Sequence, residues 1–381
     1  MYWQRELLRD TVSMTFNQTF ELDLPKTGLL GSLALYVTST QNGGPFLTVP
    51  KWRLIDYLSK IELIGDGAEV IKSFDGRQAL ACAFYDNGVV PDSMWRHYSN
   101  TPHRQVIPIN FGRRLFDSLH ALDLSRFDQV KLKVTNNATS TQFTTDIKIS
   151  VLAYWLREQT APTVGYYREE EYKTWAPVAA AVEYTDLPTL LKIRRILLRA
   201  RPAVDTADAQ NNSSMGNLMN AIDFTIRTGQ TRVYHNSLDL LARLTADESG
   251  KRAETAGVID RTADYGFEVG IGYVEQFVSA PATKNESLTV YPLTVADHDN
   301  QDSSQLMRYR AADSPLSWWA RGYGYMHNVP LFASLYDDDS DLLDSEADKT
   351  VKVDITCKSG TTVTGTSANA ENAIVLSRLV P

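Results

Sequence analysis

The apolar positions of this chain fall in short runs that alternate with polar ones at a period of two, as in LALYVTST, KIELIG, QVIPINF, QVKLKVT and TTDIKISVLAYW. β-branched and aromatic residues fill these runs, and Gly, Pro, Asn or Asp bounds them, which predicts strands buried on one face. The helical period is rare. Its clearest instance is GRRLFDSLHALDLSRF, which puts Leu115, Leu119 and Leu122 on one face and leads directly into QVKLKVT. Alternation of this kind predicts an all-β chain of sandwiches or barrels, with isolated helices in the connections.

An internal repeat organises these runs. FELDLPKTGLL resembles VEYTDLPTLL, with Pro25 against Pro188, an offset of 163. KIELIGDGAEVI resembles AIDFTIRTGQTRVY, pairing Ile61 with Ile222, Gly67 with Gly229 and Val70 with Val233 at offsets of 161 to 163. A third block, VIPINF with a helix-like segment and QVKLKVT, matches NVPLFASLYDDDSDLLDSEADKTVKVDIT, with Pro108 against Pro330 and Val130 against Val351 at offsets near 222. The order is kept while the offset grows, so the second copy carries about 59 more residues, between roughly 245 and 325. His235 to Asp247 has the charges of a solvated helix, but its place in the repeat predicts a strand pair with loops.

The boundaries that follow are a 1–18 N-terminal arm, a first sandwich over 19–160, a linker over 161–180, and a second sandwich over 181–381 with an inserted loop region at about 247–325. The linker, TAPTVGYYREEEYKTWAP, has the Pro content and charge run of a connector. The insertion contains the polar stretches ADESGKRAETAG, SAPATKNES and ADHDNQDSSQ around the strand-like YGFEVGIGYVEQF and SLTVYPLTV, and is expected to stand outside the core as outward loops.

The runs VIPINFGRRLFDSLHALDLSRFDQVKLKV and MHNVPLFASLYDDDSDLLDSEADKTVKVDI resemble the strand F, helix, strand G signature of double jelly-roll major capsid proteins, the lineage of tectiviruses, corticoviruses, adenoviruses and giant viruses. The resemblance spans both halves, from about Phe16 to the end, and lies in pattern and order rather than in an invariant motif. It implies an all-β fold of two tandem eight-stranded jelly-roll sandwiches with short connecting helices. It also implies the function of a viral major capsid protein: a homotrimer whose six barrels form a pseudo-hexagonal capsomer of an icosahedral virion. The partners implied are the chain itself, neighbouring capsomers and minor capsid or vertex proteins, with synthesis in the host cytoplasm. The compact members it resembles in length infect bacteria and archaea, and often enclose an internal membrane.

Charge and chemistry narrow the picture further. Lys and Arg number 38 against 46 Asp and Glu, a net charge of −8, so no basic field is available for sequence-specific nucleic-acid binding. The two cysteines, Cys82 and Cys357, lie in strand-like runs and are too few for a disulfide framework or a cysteine zinc site; buried free thiols are expected. No apolar stretch reaches the ~18 residues of a membrane span, and MYWQRELLRD lacks the apolar region of a signal peptide. That segment does mix Tyr2, Trp3, Leu7 and Leu8 with Arg5 and Arg9, which suits an interfacial helix on lipid or on a neighbouring subunit, or a frayed arm.

No enzymatic role is expected, and no catalytic, cofactor-binding or metal-binding residue is assigned. Bicupins are also tandem jelly-roll-like barrels, but His97, His103, His120, His235, His298 and His327 form no His-x-His or His-x-Asp/Glu pair. The GxG at Gly270 to Gly272 lacks a third glycine, and no nucleophile elbow or P-loop occurs. The acidic run Asp337, Asp338, Asp339, Asp341, Asp344, Glu346 and Asp348 fails as an EF-hand, with Leu342 at the glycine position and Asp348 at the glutamate position. These acids are expected near the N-terminus of the helix after strand F, where they complement its dipole. The aromatic residues Tyr154, Trp155, Tyr166, Tyr167, Tyr172, Trp175, Trp318, Trp319, Tyr323 and Tyr325 suit either sandwich core or subunit interfaces. The alternative function is a carbohydrate- or receptor-binding β-sandwich spike, which shares the all-β, aromatic-rich composition; duplication of a whole sandwich favours the capsid.

Overall fold

A computed structural model describes residues 1–41, 53–94, 96–97, 102–159, 162–201, 215–259, 265–281, 306–309, 316–336, 339–358 and 370–381. The chain divides into two compact units, one comprising 1–46, 52–171 and 377–381, the other 47–51 and 172–376. The alternating runs form strands as the pattern dictates. In Val130–Asn136, for example, Val130, Leu132, Val134 and Asn136 point inward while Lys131, Lys133 and Thr135 point out.

The first unit is a sandwich. One sheet has the order Tyr2–Met14, Ile147–Arg157, Leu29–Thr40, Pro102–Asn110, and the other Thr19–Asp23, Val130–Asn136, Leu58–Gly65, Glu69–Phe74. Numbered along the chain, these orders are 1-8-3-6 and 2-7-4-5, the strand order of a jelly roll. Its inner faces bring together Leu33, Leu35, Val37, Ile61, Leu63, Ile107, Ile109, Leu132, Val134, Ile149 and Val151, all buried.

The second unit repeats the order. The second set of sheets runs Tyr166–Trp175, Glu371–Val380, Ile193–Arg201, Asn328–Ala333 and Val182–Asp186, Val351–Thr356, Ala221–Ile226, Thr231–Asn236, with residues 166–171 and 377–380 of its first two strands counted in the first unit. The core here includes Ile196, Leu198, Ile222, Phe224, Val329, Val353, Ile355 and Ile374. The chain is therefore a double jelly roll.

The repeat extends to two helices that the hydrophobic pattern did not reveal. Gly76–Asn87 follows the hairpin Leu58–Gly65/Glu69–Phe74, and Leu238–Ser249 follows the hairpin Ala221–Ile226/Thr231–Asn236. Asp75 caps the first by accepting from the Gln78 amide, and Ser237 caps the second by accepting from the Leu240 amide. Gly88 at φ 73° and Gly250 at φ 66° end them in the left-handed conformation that glycine adopts without strain. The first helix is hidden from periodicity because it is buried all round, from Gly76 to Asp86. Cys82 accordingly lies in a helix, not a strand; Cys357 lies just past Val351–Thr356, and both cysteines are buried and outside any disulfide.

Several expectations are corrected. Residues 1–18 are not an interfacial helix or a frayed arm: Tyr2–Met14 is the first strand of the first jelly roll, paired antiparallel with Ile147–Arg157. The segment 161–180 is not simply a linker, because Tyr166–Trp175 is the corresponding first strand of the second. The residues after Ser237 form the helix Leu238–Ser249 instead of strands, since Leu238, Leu241 and Ala242 bury one face once the cap has set the turn.

GRRLFDSLHALDLSRF is not a helix either, but a bent loop ending in the bridge strand Leu122–Asp123 and a single 3₁₀ turn over Leu124–Arg126. Leu122 is buried and Leu119 is 47% exposed, so the supposed face does not exist. The loop is organised by Asp117, whose carboxylate accepts from the Arg113 and Leu119 amides and from His120 Nδ1, each at 2.9 Å. Phe116 takes φ 65°, which a helix does not allow.

The insertion is only partly loop. Leu316–Tyr325 pairs with Ala253–Ile259 on one edge and Ile271–Pro281 on the other, and the single pair Tyr325–Asn328 connects it to Asn328–Ala333 and so to the second unit's sheet. Tyr273 and Tyr323 join the core, which corrects the expectation that the whole segment stands outside it. Alternation there is masked by glycines that admit close neighbours: a Cβ on Gly322 would lie 2.0 Å from the Tyr273 carbonyl oxygen. SAPATKNES beyond Pro281, ADHDNQDSSQ and SLTVYPLTV lie outside the described residues.

Candidate assembly surfaces

Strand edges and exposed apolar groups are the features of this molecule with capacity for partners. The aromatic residues expected at interfaces are mostly core: Trp155, Tyr166, Tyr167, Trp318, Tyr323 and Tyr325 are buried. Tyr154, Trp175 and Trp319 are half-buried and Tyr172 is exposed. Alternation explains the split, because neighbouring aromatics such as Tyr154 and Trp155 face opposite sides of one strand.

On the outward face of the first unit, Trp3 meets Phe116 at 5.4 Å between ring centroids, and Phe116 meets Tyr154 at 5.8 Å, both edge-to-face. Arg5 lies 5.5 Å over the Tyr154 ring. Gly31 is the floor of this cluster, since a Cβ there would sit 2.3 Å from the Trp3 ring. Phe116 remains 48% exposed and Tyr2 and Leu7 about half exposed, so the cluster offers apolar surface to a partner. Sequence reasoning missed Phe116 because it placed the residue in a helix. In the second unit Leu190, Tyr184, Tyr336 and Val178 are the most exposed large apolar side chains among the described residues.

Several of the buried charged groups are paired. Lys72 Nζ and Glu169 Oε2 are 2.8 Å apart with almost no exposure, and Arg378 pairs with Glu170, all four residues belonging to the first unit. Tyr166 donates from its hydroxyl to Glu69 at 3.0 Å. In the second unit Arg199 lies 3.1 Å from Glu371.

The acidic run is a set of local caps. Asp341 accepts from the Ser334 hydroxyl and from the amides of Leu335 and Tyr336, and Asp344 caps Ser345–Asp348 through the Ala347 amide. Burial raises the pKa of Asp341, but those hydrogen bonds outweigh it and hold the carboxyl below its ordinary value. The helix after strand F expected here is this single short turn, and Asp337 and Asp338 lie outside the described residues. Among the described residues no group of His, Cys, Asp and Glu is arranged to hold a metal ion, and no helix is long and apolar enough to cross a membrane.

No family model matches the sequence, and no curated protein matches it. Likeness emerges in three dimensions. An atomic structure of Sulfolobus Turreted Icosahedral Virus includes a chain that matches with a TM-score of 0.55 at 11% identity, covering 100% of this chain and 91% of that one. The crystal structure of the STIV MCP matches with a TM-score of 0.51 at 9% identity, covering 93% and 96%. A chain of the PBCV-1 virus capsid matches with a TM-score of 0.50 at 12% identity, covering 99% and 93%. Identities this low carry the fold and no more: the described residues have the double jelly-roll architecture found in these viral capsid structures.

Proposed function

We propose that this chain is a viral major capsid protein that assembles as a homotrimer, three chains supplying six jelly rolls to a pseudo-hexagonal capsomer of an icosahedral shell. The observation that carries the reading is the duplication itself: two jelly rolls of identical strand order in one chain, matched end to end by capsid structures. Two like units per chain let a threefold assembly occupy a sixfold site. Sandwiches of this kind also satisfy most of their own backbone groups and leave a few edges for specific contacts. The proposed location is the virion, the proposed partners are other copies of the chain and minor capsid or vertex proteins, and the role is structural rather than enzymatic.

Sedimentation velocity on the full chain at micromolar concentration, followed by negative-stain electron microscopy, tests this. A species of three times the chain mass with a hexagonal outline is expected; a stable monomer overturns the reading.

A further inference from the structure

The two jelly rolls do not end alike. In the first unit, the outer edge of Glu69–Phe74 is covered by a parallel strand, with Glu169 opposite Lys72 and Glu170 opposite Ser73. That covering strand begins the Tyr166–Trp175 run, which holds the first position in the second jelly roll. In the second unit the counterpart of Glu69–Phe74 is Thr231–Asn236, displaced by 162 residues, as are the helix caps Asp75 and Ser237. Among the described residues no strand covers the outer edge of Thr231–Asn236, which ends its sheet. Nor does any cover the outer edge of Tyr2–Met14, the strand that holds the first position in the first jelly roll.

These two bare edges are each other's counterparts in the covered pair. Trp3-Gln4-Arg5-Glu6 aligns with Tyr166-Tyr167-Arg168-Glu169 at an offset of 163, keeping the aromatic, the arginine and the glutamate. Both bare strands are also exposed far beyond what a closed sandwich needs. In Thr231–Asn236 only Tyr234 is even half-buried, and in Tyr2–Met14 only Met14 is buried. A long, exposed strand edge presents unpaired amides and carbonyls that template another strand.

We infer that Tyr2–Met14 of one copy of this chain adds in parallel to the outer edge of Thr231–Asn236 of a second copy, repeating between chains the pairing made by Tyr166–Glu171 and Glu69–Phe74. The inference rests on the homotrimer proposed above and names the contact that closes it. Transposing the observed register places Glu6 opposite Tyr234 and Leu7 opposite His235 of the second copy. Apolar surface agrees, since Leu7 is 51% and Val233 46% exposed in the single chain. The contact is heterologous, one edge meeting a different edge, so it generates a ring when the rotation between copies closes.

The experiment uses two full-length single variants, Leu7→Cys and His235→Cys, coexpressed and oxidised after purification of the assembly. Directly opposed residues on paired strands have the Cα spacing a disulfide requires, and the native Cys82 and Cys357 are buried. Covalent chain dimers are expected from the mixture and not from either variant alone; with both substitutions in one chain, covalent trimers are expected. A control pairing Leu7→Cys with Val182→Cys, on the other bare edge of that sheet, is expected to give none.

The outcomes separate the two claims. A wild-type trimer with no Leu7→Cys/His235→Cys cross-link overturns this inference and leaves the trimer standing. A wild-type monomer overturns both.

Discussion

Lys72 and Glu169 form an ion pair at 2.8 Å with both side chains almost wholly removed from water, directly opposite one another on parallel strands of the first unit. Lys72 also lies 5.4 Å over the Phe111 ring. Burying one charge without its partner costs far more than burying the pair. Lys72→Met is therefore expected to destabilise the first unit by about 3 to 5 kcal/mol, because it removes the buried cation that neutralises Glu169. Lys72→Met with Glu169→Leu should recover most of that loss. Urea unfolding of the two variants checks this, and equal destabilisation by the single and the double variant would refute it.

Asp117 gives the first unit a pH dependence. Burial raises its pKa, but the hydrogen bonds from His120 and from the Arg113 and Leu119 amides prevail and lower it from 3.8 to about 2. A depressed folded value means the ionised form stabilises the fold. That contribution, about 2 kcal/mol, is complete above pH 4 and is lost as the pH falls through about 2. Asp117→Asn should lower stability at pH 6 and flatten the change in stability between pH 4 and pH 2, as followed by thermal melts.

Gly165 is expected to tolerate no side chain. It sits at φ 143°, and a Cβ there would lie 2.1 Å from the Val380 carbonyl oxygen, within the same unit. Gly165→Ala should cost at least about 3 kcal/mol through combined strain and clash. Gly67→Ala is the comparison: it also has positive φ, at 74°, but nothing lies within 4 Å, so a cost of about 1 kcal/mol is expected. Similar melting temperatures for the two variants would contradict this account.

The duplicated helices should respond alike to loss of their caps. Asp75→Ala removes a capping box shared with Gln78, and Ser237→Ala removes the matching single cap. Each is expected to cost about 1 kcal/mol, because in each helix one main-chain amide loses its side-chain acceptor, while the residue 75 amide still donates to Gln78 Oε1. Hydrogen exchange of the Gln78 and Leu240 amides reads the two sites separately.

Much of the fold was legible in the order of residues. Alternation in KIELIG and QVKLKVT fixes inward and outward faces whatever the strands pair with, because the side-chain period of a strand is two. The collinear matches around Pro25 and Pro188, and Pro108 and Pro330, exposed the duplication, since turns and hairpins are specified locally.

Only tertiary structure decided the rest, where partners distant along the chain outweigh local preference. Tyr2–Met14 reads as an amphipathic arm until Ile147–Arg157 supplies the hydrogen bonds that make it a strand. Gly76–Asn87 shows no polar face because its surroundings bury every side of it. Phe116 leaves the helical region because Asp117 gathers three donors around its carboxylate. The bare edges of Tyr2–Met14 and Thr231–Asn236 are invisible in the sequence for the same reason: whether an edge is covered depends on which strand lies beside it, and the residues of the edge do not encode that alone.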